Sequence, residues 1–457
     1  MNMKKPIIVF VPYPAQGHVS PMQNLASVFV SQGFEAVIVL PQHVHKKINN
    51  NDDDDDDRII KWVALADGME EDSTTPDFFA IESSMESIMP NHFEEFLQNQ
   101  NQNLDDVCLV VVDLLASWAI QVASKFGIPT AGFWPAMLAS YLLIASIPQM
   151  LRTGLISDTG LPQHEGKITF VPALPVVSTE DLPWLIGTIG ARKARFKFWM
   201  RTLERSRNLK WILVNSFPNE TKVSISNSHS QSVLPIGPIC SRPNDFTKTL
   251  SFWEQDLSCL KWLSNQKTNS VVYVSFGSWV NPIGESNLKN LALALEATMR
   301  PFIWVLRSSW RQGLPIGFLE RIFKQGKGLV VSWAPQKEIL EHNSVGCFIT
   351  HCGWNSTLEA LQFQKKLLCY PVAGDQFVNC AYIVEVWRVG LRLNGFGERD
   401  VEEGLAKVIE DKEIGRRLMT LYERIMGIQG DNKSGPFLLK SFVEQLAQEN
   451  IYHSSKF

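Results

Sequence analysis

Short apolar runs alternate with stretches of helical periodicity along the whole chain, a pattern typical of α/β domains built on parallel sheets. In the first half, the predicted strands are Ile7–Val11, Ala36–Leu40, Ile59–Val63, Leu109–Val112, Thr130–Phe133 and Ile212–Val214. In the second half, they are Val271–Phe276, Phe302–Leu306, Leu329–Ser332, Cys347–Thr350, Leu367–Tyr370 and Gly390–Leu393. The pattern predicts two Rossmann-like, doubly wound domains, with ligands bound beyond the C-terminal strand ends.

The stretch from Pro235 to Trp253 is rich in proline and polar residues and separates the two halves. We therefore expect a first domain over residues 1–238, a linker over 239–253 and a second domain over 254–435. A final amphipathic helix is expected over 436–457.

The segment from Trp333 to Gln376 contains the chemical groups that a nucleotide-sugar site requires. Its strand Cys347–Thr350 is followed by the loop His351-Cys352-Gly353-Trp354 and by a helical pattern that starts at Asn355. Unpaired N–H groups and the positive end of the helix dipole make such a helix start suitable for a diphosphate. Gly353 would allow the backbone to approach the ligand closely.

From its opening WAPQ through HCGWNS to the terminal DQ, this segment resembles the signature box of plant family 1 UDP-glycosyltransferases. The resemblance implies the two-domain fold called GT-B, in which two Rossmann-like domains face each other across a cleft and the last helix returns to the first domain. It also implies an enzyme that transfers a sugar from a UDP-sugar to a small molecule. An ordinary strand-loop-helix unit would explain Trp354 or Ser356 singly but not the whole set.

The resemblance assigns expected roles to individual donor-site residues. It implies that Trp333 stacks on uracil, that the Ala334 backbone pairs with the uracil edge, and that Gln336 and Glu359 bind the ribose. The remaining implied contacts are with the diphosphate, through His351, Asn355 and Ser356, and with the sugar, through Trp354, Asp375 and Gln376. Ser278, which follows another predicted strand, matches a diphosphate-binding serine of the family, although a serine there could also simply cap a helix.

The box departs from the common family pattern at three places. Gln364-Lys365-Lys366 stands where most relatives have Gly-Val-Pro, and Tyr370 stands where they have Trp. We interpret the first change as an altered turn away from the ligand. Ala373-Gly374 is smaller than the residues usually found before the final Asp-Gln, which favours a wider acceptor side.

The catalytic candidates are His18, in the loop after the first strand, and Asp113, at the end of the run CLVVVD. The C-terminal ends of parallel strands share one sheet edge, so the two side chains can meet there. A carboxylate that orients a histidine is a common arrangement for removing a proton from a hydroxyl. Taken singly, His18 could be a loop residue and Asp113 a helix N-cap, but the family's GHxxP motif is present as Gly17–Pro21.

Composition excludes several other classes of protein. The net charge is −4, with 45% hydrophobic and 20% charged residues, so neither nucleic acid nor an anionic membrane is an expected partner. No apolar stretch reaches the roughly 20 residues of a membrane span, and no targeting segment is visible, so we expect a cytoplasmic protein, as a monomer. The seven cysteines are odd in number and form no CxxC pair. Although Cys347, His351 and Cys352 are neighbours in sequence, we find no fourth ligand for a structural zinc and expect no metal.

Two other functions would require different residues. A dinucleotide-dependent dehydrogenase would have GxGxxG after the first strand, where this chain has Pro12, Pro14 and Gln16. A catalytically weak UDP-sugar-binding protein would lack His18 or Asp113, and both are present.

We therefore expect inverting transfer of glucose from UDP-glucose, as co-substrate and without a metal cofactor, to a hydroxyl or carboxyl of a hydrophobic acceptor. Flavonoids, phenolics and terpenoids suit the apolar segments from Phe133 to Ile144, Leu182 to Leu185 and Phe196 to Trp199, which could equally form the core. UDP-xylose and UDP-galactose stay open as alternative donors.

Overall fold

Strands follow the apolar runs closely in the computed structural model of the chain, which describes residues 5–49, 59–69, 77–100, 107–169, 175, 177–218, 220, 231–239, 251–278, 283–426 and 434–454. The first nine strands are β1 (Ile7–Val11), β2 (Glu35–Pro41), β3 (Ile60–Leu65), β4 (Val107–Asp113), β5 (Thr130–Trp134), β6 (Lys167–Ile168), β7 (Val177–Ser178), β8 (Trp211–Val214) and β9 (Ser232–Pro235). The others are β10 (Val271–Ser275), β11 (Phe302–Val305), β12 (Gly328–Val331), β13 (Val345–Thr350), β14 (Lys366–Cys369) and β15 (Gly390–Arg392).

Helices connect the strands. The earlier ones are α1 (Gln16–Ser31), α2 (Gln42–Asn49), α3 (Phe78–Ser87), α4 (Met89–Gln100), α5 (Trp118–Lys125), α6 (Leu138–Ala145), α7 (Ile147–Arg152), α8 (Ile189–Ser206) and α9 (Ser258–Leu263). The later ones are α10 (Gly284–Ala297), α11 (Phe318–Lys324), α12 (Gln336–Glu341), α13 (Trp354–Gln362), α14 (Gln376–Ala381), α15 (Glu398–Glu410), α16 (Lys412–Ile425) and α17 (Gly435–Ser454). None of the helices in the described ranges is both long and apolar enough to cross a membrane.

Two parallel sheets form the centres of two compact units. Unit 1 comprises residues 1–141, 196–252 and 432–457, and unit 2 comprises residues 142–195 and 253–431. The sheet of unit 1 has the strand order β3-β2-β1-β4-β5-β8-β9, and that of unit 2 has the order β12-β11-β10-β13-β14-β15. The α/β class and the doubly wound topology expected from the sequence are thus confirmed. The expected domain boundaries stay a prediction. They placed residues 142–195 in the first domain, whereas these residues belong to unit 2.

All twelve predicted strands are present, and their ends differ from the expected ones by at most two residues. They were recognisable because helices cover both faces of each sheet, so the strands are continuous apolar runs. In β1, Ile8, Val9 and Phe10 are fully buried, and Val272 and Val274 of β10 are equally inaccessible.

The final helix α17 packs within unit 1. Phe442 contacts Phe29 of α1 with 6.4 Å between ring centroids and Trp211 of β8 with 5.6 Å, both edge-to-face. These aromatic contacts anchor the helix by its apolar face.

The departure Gln364-Lys365-Lys366 has a structural role that the sequence analysis did not foresee. Gln364 adopts a left-handed conformation, with φ 52°, at the end of α13, a position that usually favours glycine. The Lys365 ammonium donates to the carbonyls of His342 and Val345, both at 3.1 Å, and Lys366 donates to those of Ile409 and Asp411. Both lysines therefore satisfy backbone acceptors, including those at the C-terminal end of α15.

Candidate active site

His18 and Asp113 meet at the C-terminal edge of the sheet of unit 1. β1 and β4 are parallel neighbours, with Val11 paired to Val112, so Asp113 ends β4 beside the loop that leads into α1. His18 lies in the first turn of α1, and its Nδ1 is 2.7 Å from Asp113 Oδ2. The sequence-based expectation that the two side chains share one edge is therefore matched by a direct contact.

Asp113 uses both of its carboxylate oxygens. Oδ1 accepts a hydrogen bond from the Leu115 N–H at 2.9 Å and so caps the short 3₁₀ helix that follows β4, while Oδ2 faces His18. The Asp113 side chain is fully buried, whereas 22% of the His18 side chain is exposed. Because the Asp113 carboxylate accepts a hydrogen bond from Nδ1–H, the neutral imidazole has its lone pair on Nε2, the arrangement of a general base.

Neighbouring groups hold the His18 ring and the helix start in place. The ring of the fully buried Tyr13 lies 5.1 Å from the His18 ring between centroids. The Gln16 amide donates to Ser20 Oγ at 2.7 Å and accepts from the Phe252 N–H at 2.8 Å. This first turn of α1 is thus fixed on more than one side, and His18 is positioned by packing as well as by Asp113.

Two strand-end loops meet in the same way at the sheet edge of unit 2. Ser278 follows β10 and His351 follows β13, and these two strands are neighbours at the point where the strand order reverses. The His351 imidazole packs between Gly277 and Gly353: a Cβ on Gly277 would lie 2.7 Å from His351 Nε2, and one on Gly353 would lie 2.4 Å from it. Both positions therefore require a residue without a side chain.

Burial lowers the pKa of His351 from its usual 6.5 to about 4, and the Ser275 backbone opposes this with a smaller upward effect. The imidazole is therefore neutral at pH 7. Next to it, Gly353 precedes α13, whose first N–H groups have no acceptors within the helix. This helix start combines donor groups with a positive dipole end, which favours an anionic ligand.

A hydrogen-bonded cluster brings together Gln336, Glu359 and Ser356. The Gln336 amide donates to Glu359 Oε2 at 2.8 Å and to Ser356 Oγ at 3.0 Å, and its carbonyl accepts from the Tyr273 hydroxyl at 3.2 Å. Burial raises the pKa of Glu359, while the hydrogen bond from Gln336 lowers it to a smaller extent. Hydroxyl groups of a ribose would find both donors and acceptors in this cluster.

Trp333 lies at the start of the same segment, next to residues that the sequence analysis missed. The centroids of the Trp333 and Trp253 rings are 4.5 Å apart. The Arg307 guanidinium lies over the Trp253 ring, 4.4 Å from its centroid. Arg307 also donates to the Ser278 carbonyl. No local motif could have indicated this cluster, because Trp253 and Arg307 are far from Trp333 in sequence.

The last predicted residues lie at the start of α14. Asp375 Oδ2 accepts from the Asn379 amide at 2.9 Å, and Gln376 Oε1 accepts from the Val372 and Ala373 N–H groups at 2.9 and 3.0 Å. Two backbone donors thus occupy the Gln376 carbonyl, which leaves its amide nitrogen to donate.

The Trp354 side chain is only 4% exposed and packs near Trp387, so its indole lies mainly in the core of unit 2. Ala334 is also buried, and Asn355 is partly exposed in the first turn of α13. The ligand contacts expected for the donor-site residues stay predictions.

A second histidine–aspartate pair also escaped the sequence analysis. His43 lies at the start of α2, and its Nδ1 is 2.6 Å from Asp67 Oδ2. Asp67 also accepts from the backbone N–H groups of His43 and Met69, so it fixes local backbone. Hydrogen bonds to His43 and Met69 lower the pKa of Asp67, although burial, the largest single effect, opposes them.

Comparison with known proteins identifies the family. The family model described as "UDP-glucoronosyl and UDP-glucosyl transferase" matches residues 8–426. The chain belongs to this family. It is 52% identical over 444 residues to UDP-glycosyltransferase 82A1 of Arabidopsis thaliana, covering 93% of this chain and 95% of the relative. UDP-glycosyltransferase 83A1 of the same plant is 33% identical, covering 90% and 88% of the two chains. The protein is therefore a UDP-glycosyltransferase.

Solved structures show the same fold. The UGT2 structure of Phytolacca americana, complexed with UDP-2fluoro-glucose and pterostilbene, matches with a TM-score of 0.81 at 24% identity, covering 97% of this chain and 100% of the other. The UGT71G1 structure of Medicago truncatula, complexed with UDP-glucose, matches with a TM-score of 0.78 at 23% identity, covering 97% and 98%. The expected GT-B fold is confirmed.

The packing of His351 between two glycines leads to a first prediction. Gly353→Ala would force its Cβ against the imidazole, and such overpacking typically costs about 1–3 kcal/mol. We expect UDP to bind the variant at least about tenfold more weakly, as measured by titration calorimetry. Gly415→Ala in α16 is the matched control, since its Cβ would lie 3.9 Å from Lys366. Unchanged UDP affinity in a folded Gly353→Ala protein would contradict this account of the loop.

Proposed function

We propose that the protein transfers glucose from UDP-glucose to a hydroxyl or carboxyl of a hydrophobic small molecule, with inversion at the anomeric carbon. The observation that carries this proposal is the contact between His18 and Asp113, 2.7 Å apart at the sheet edge of unit 1. The buried Asp113 carboxylate orients the partly exposed imidazole so that its Nε2 can accept a proton, which suits general-base catalysis.

In the proposed reaction, His18 Nε2 accepts the proton of the acceptor hydroxyl as the oxygen attacks the anomeric carbon. Asp113 keeps the imidazole in the tautomer that exposes the Nε2 lone pair, and its negative charge stabilises the imidazolium that forms. Attack from the face opposite the UDP leaving group inverts the configuration, so an α-linked donor gives a β-glucoside.

The residues of unit 2 are proposed to bind the donor and to stabilise the leaving diphosphate. The helix start at Gly353, together with the His351 ring and the Ser356 hydroxyl, provides hydrogen-bond donors where negative charge increases. Ser278 and Asn355 are proposed to add to this set, whereas Trp333 and the Ala334 backbone bind uracil and Gln336 and Glu359 bind the ribose. Because neutral donors take the role of a cation in this scheme, we propose that the reaction requires no metal.

Glucose is supported as the donor sugar by the residues at the start of α14. Asp375 and Gln376 follow the family's glucose-preferring pattern, and the Gln376 amide nitrogen is placed to donate to a sugar hydroxyl. The UDP-glucose and UDP-2fluoro-glucose complexes of the two structural neighbours support the same sugar.

A hydrophobic acceptor is supported by the pterostilbene complex of the Phytolacca americana neighbour. Within the apolar segments considered above, Trp184, Phe196 and Phe198 are buried and form core, whereas Leu185 and Trp199 are partly exposed. We therefore propose that the partly exposed apolar side chains, rather than the segments as a whole, contact the acceptor.

A reducing, cytoplasmic location is proposed from the state of the cysteines. Cys259, Cys347, Cys352, Cys369 and Cys380 are free thiols in the structure. Buried, unpaired cysteines are typical of proteins that stay in a reducing compartment.

Removal of the base tests the proposed mechanism. We expect His18→Ala to lower kcat for hydroxyl acceptors by about 10²–10⁴-fold, the usual contribution of general-base catalysis, with UDP affinity retained. Asp113→Asn should account for a large part of that loss. The matched control is His43→Ala, which removes the second histidine–aspartate pair found among the described residues of unit 1. Near-normal turnover by folded His18→Ala would rule out this mechanism.

Competition between UDP-glucose, UDP-galactose and UDP-xylose at equal concentrations tests the donor. With a panel of phenolic and terpenoid acceptors, product masses should show mainly glucosides. Gln376→Glu keeps the two backbone hydrogen bonds but loses the amide donor, so KM for UDP-glucose should rise about tenfold. The exposed Gln325→Glu is the control. A main product other than a glucoside would refute the proposed donor, and activity confined to sugars or peptides would refute the proposed acceptor class.

Chelation tests the proposed independence from metals. We expect full activity in excess EDTA and no stimulation by Mg²⁺ or Mn²⁺, because protein N–H groups, His351 and Ser356 are proposed to stabilise the diphosphate. Initial rates with and without chelator give the answer directly. Loss of activity in EDTA that Mg²⁺ or Mn²⁺ restores would show that a cation takes part.

A further inference from the structure

Three buried cysteines converge in unit 2, close to the proposed donor loops. Cys352 lies in the loop after β13, Cys369 ends β14 and Cys380 lies in α14. Their sulphur atoms all lie within 4.8 Å of one another, and the three residues are at most 1% exposed. Cys347, which the sequence analysis grouped with Cys352, is not part of this cluster.

We propose that Cys352, Cys369 and Cys380 form a binding site for one soft cation, Cu(I), and that occupation of this site weakens UDP-sugar binding. The site is separate from the chemistry of glycosyl transfer. The second half of the proposal rests on the proposed donor site, whereas Cu(I) binding itself does not.

The ligand set favours a soft ion of low coordination number. Thiolates select Cu(I) and zinc among biological metals, and structural zinc almost always takes four ligands. Within the described residues, the group contains three sulphurs and no histidine or carboxylate that would complete a tetrahedral site. Three sulphurs alone match a trigonal Cu(I) site better than a zinc site.

The geometry requires only a small adjustment. With metal–sulphur bonds of about 2.3 Å, as in zinc thiolates, a trigonal site would have sulphur–sulphur distances of about 4.0 Å. Because the present distances reach no more than 4.8 Å, the sulphurs would move together by less than about 1 Å. The three sulphurs are therefore already close to the positions that a trigonal site requires.

Two charged side chains lie near the cluster. The positive charge of Arg392 acts on Cys380 and favours a thiolate there. Asp181 is a nearby opposing charge. Each thiol that becomes a thiolate ligand releases its proton to solvent, so binding of Cu(I) strengthens as pH rises. No electron is transferred in this step, since Cu(I) stays Cu(I).

Coupling to the donor site follows from the chain connections. Cys352 stands between His351 and Gly353, and Cys380 is one helical turn after Gln376. The Asn379 amide joins the two segments by donating to the Cys352 carbonyl and to Asp375 Oδ2, both at 2.9 Å. Contraction of the cluster would thus move the loop that contains Cys352 and the start of α14. In that loop, His351 packs tightly against Gly277 and Gly353, so a shift would disturb the proposed diphosphate site.

Anaerobic titration of the whole protein with Cu(I), in competition with a chromophoric chelator, tests the site. We expect one tightly bound Cu(I) per wild-type chain and at least about 100-fold weaker binding by Cys380→Ala, more than loss of an outer-shell partner costs. Cys369→Ala is a second variant in case the first fails to fold. Cys259→Ala removes a buried thiol of the same unit outside the cluster and should bind like wild type.

Titration of UDP with and without one equivalent of Cu(I) tests the coupling. The dissociation constant for UDP should rise about fivefold or more in wild type, and not in Cys380→Ala. Equal Cu(I) affinity of wild type and Cys380→Ala would overturn the site, as would preferential uptake of Zn(II) or a disulfide within the cluster. Tight Cu(I) binding that leaves UDP affinity unchanged would overturn the coupling alone. Failure of UDP to bind in any form would instead count against the proposed donor site.

Discussion

Reversal of strand order within each sheet is the constraint on which the rest of the structure depends. Between β1 and β4, and again between β10 and β13, the connections leave neighbouring strands in opposite directions. A crevice therefore opens at the C-terminal edge of each sheet, where polar side chains can be placed without disturbing the core. His18 and Asp113 occupy this position in unit 1, and Ser278 and His351 occupy it in unit 2.

Close packing in the second crevice explains why its loop combines unusual residues. Gly277 has φ 85° and Cys352 has φ 66°, so the two loops on either side of His351 both contain a left-handed residue. A left-handed conformation is sterically unfavourable for cysteine but not for glycine, so surrounding contacts must stabilise Cys352. The Cys352 N–H donates to Thr350 Oγ1 at 3.1 Å, and its carbonyl accepts from Asn379, so the strained residue is held on both sides. These contacts orient the following N–H groups before any ligand arrives.

The sequence was sufficient for twelve of the fifteen described strands and for the contact between His18 and Asp113, because both follow from parallel-sheet topology. It missed β9 (Ser232–Pro235), a short edge strand whose half-buried residues lack a continuous apolar pattern. The Trp253–Trp333–Arg307 cluster and the three-cysteine group were also missed, since each joins residues from separate elements without a spacing motif. Gln364-Lys365-Lys366 was interpreted only as an altered turn, whereas in the structure Lys365 also donates to two specific carbonyls. Such long-range contacts depend on tertiary packing, which local patterns do not encode.

Asp113 shows why a structural and a catalytic interpretation of one residue need not compete. Its Oδ1 caps the 3₁₀ helix after β4, and its Oδ2 faces His18. The cap fixes the carboxylate in position, and this fixed carboxylate can then orient an imidazole that is itself only partly buried. Full burial of Asp113 would be costly for an isolated charge, but the two hydrogen bonds offset that cost. The proposed base is thus oriented in advance because Asp113 both ends β4 and caps the 3₁₀ helix that follows it.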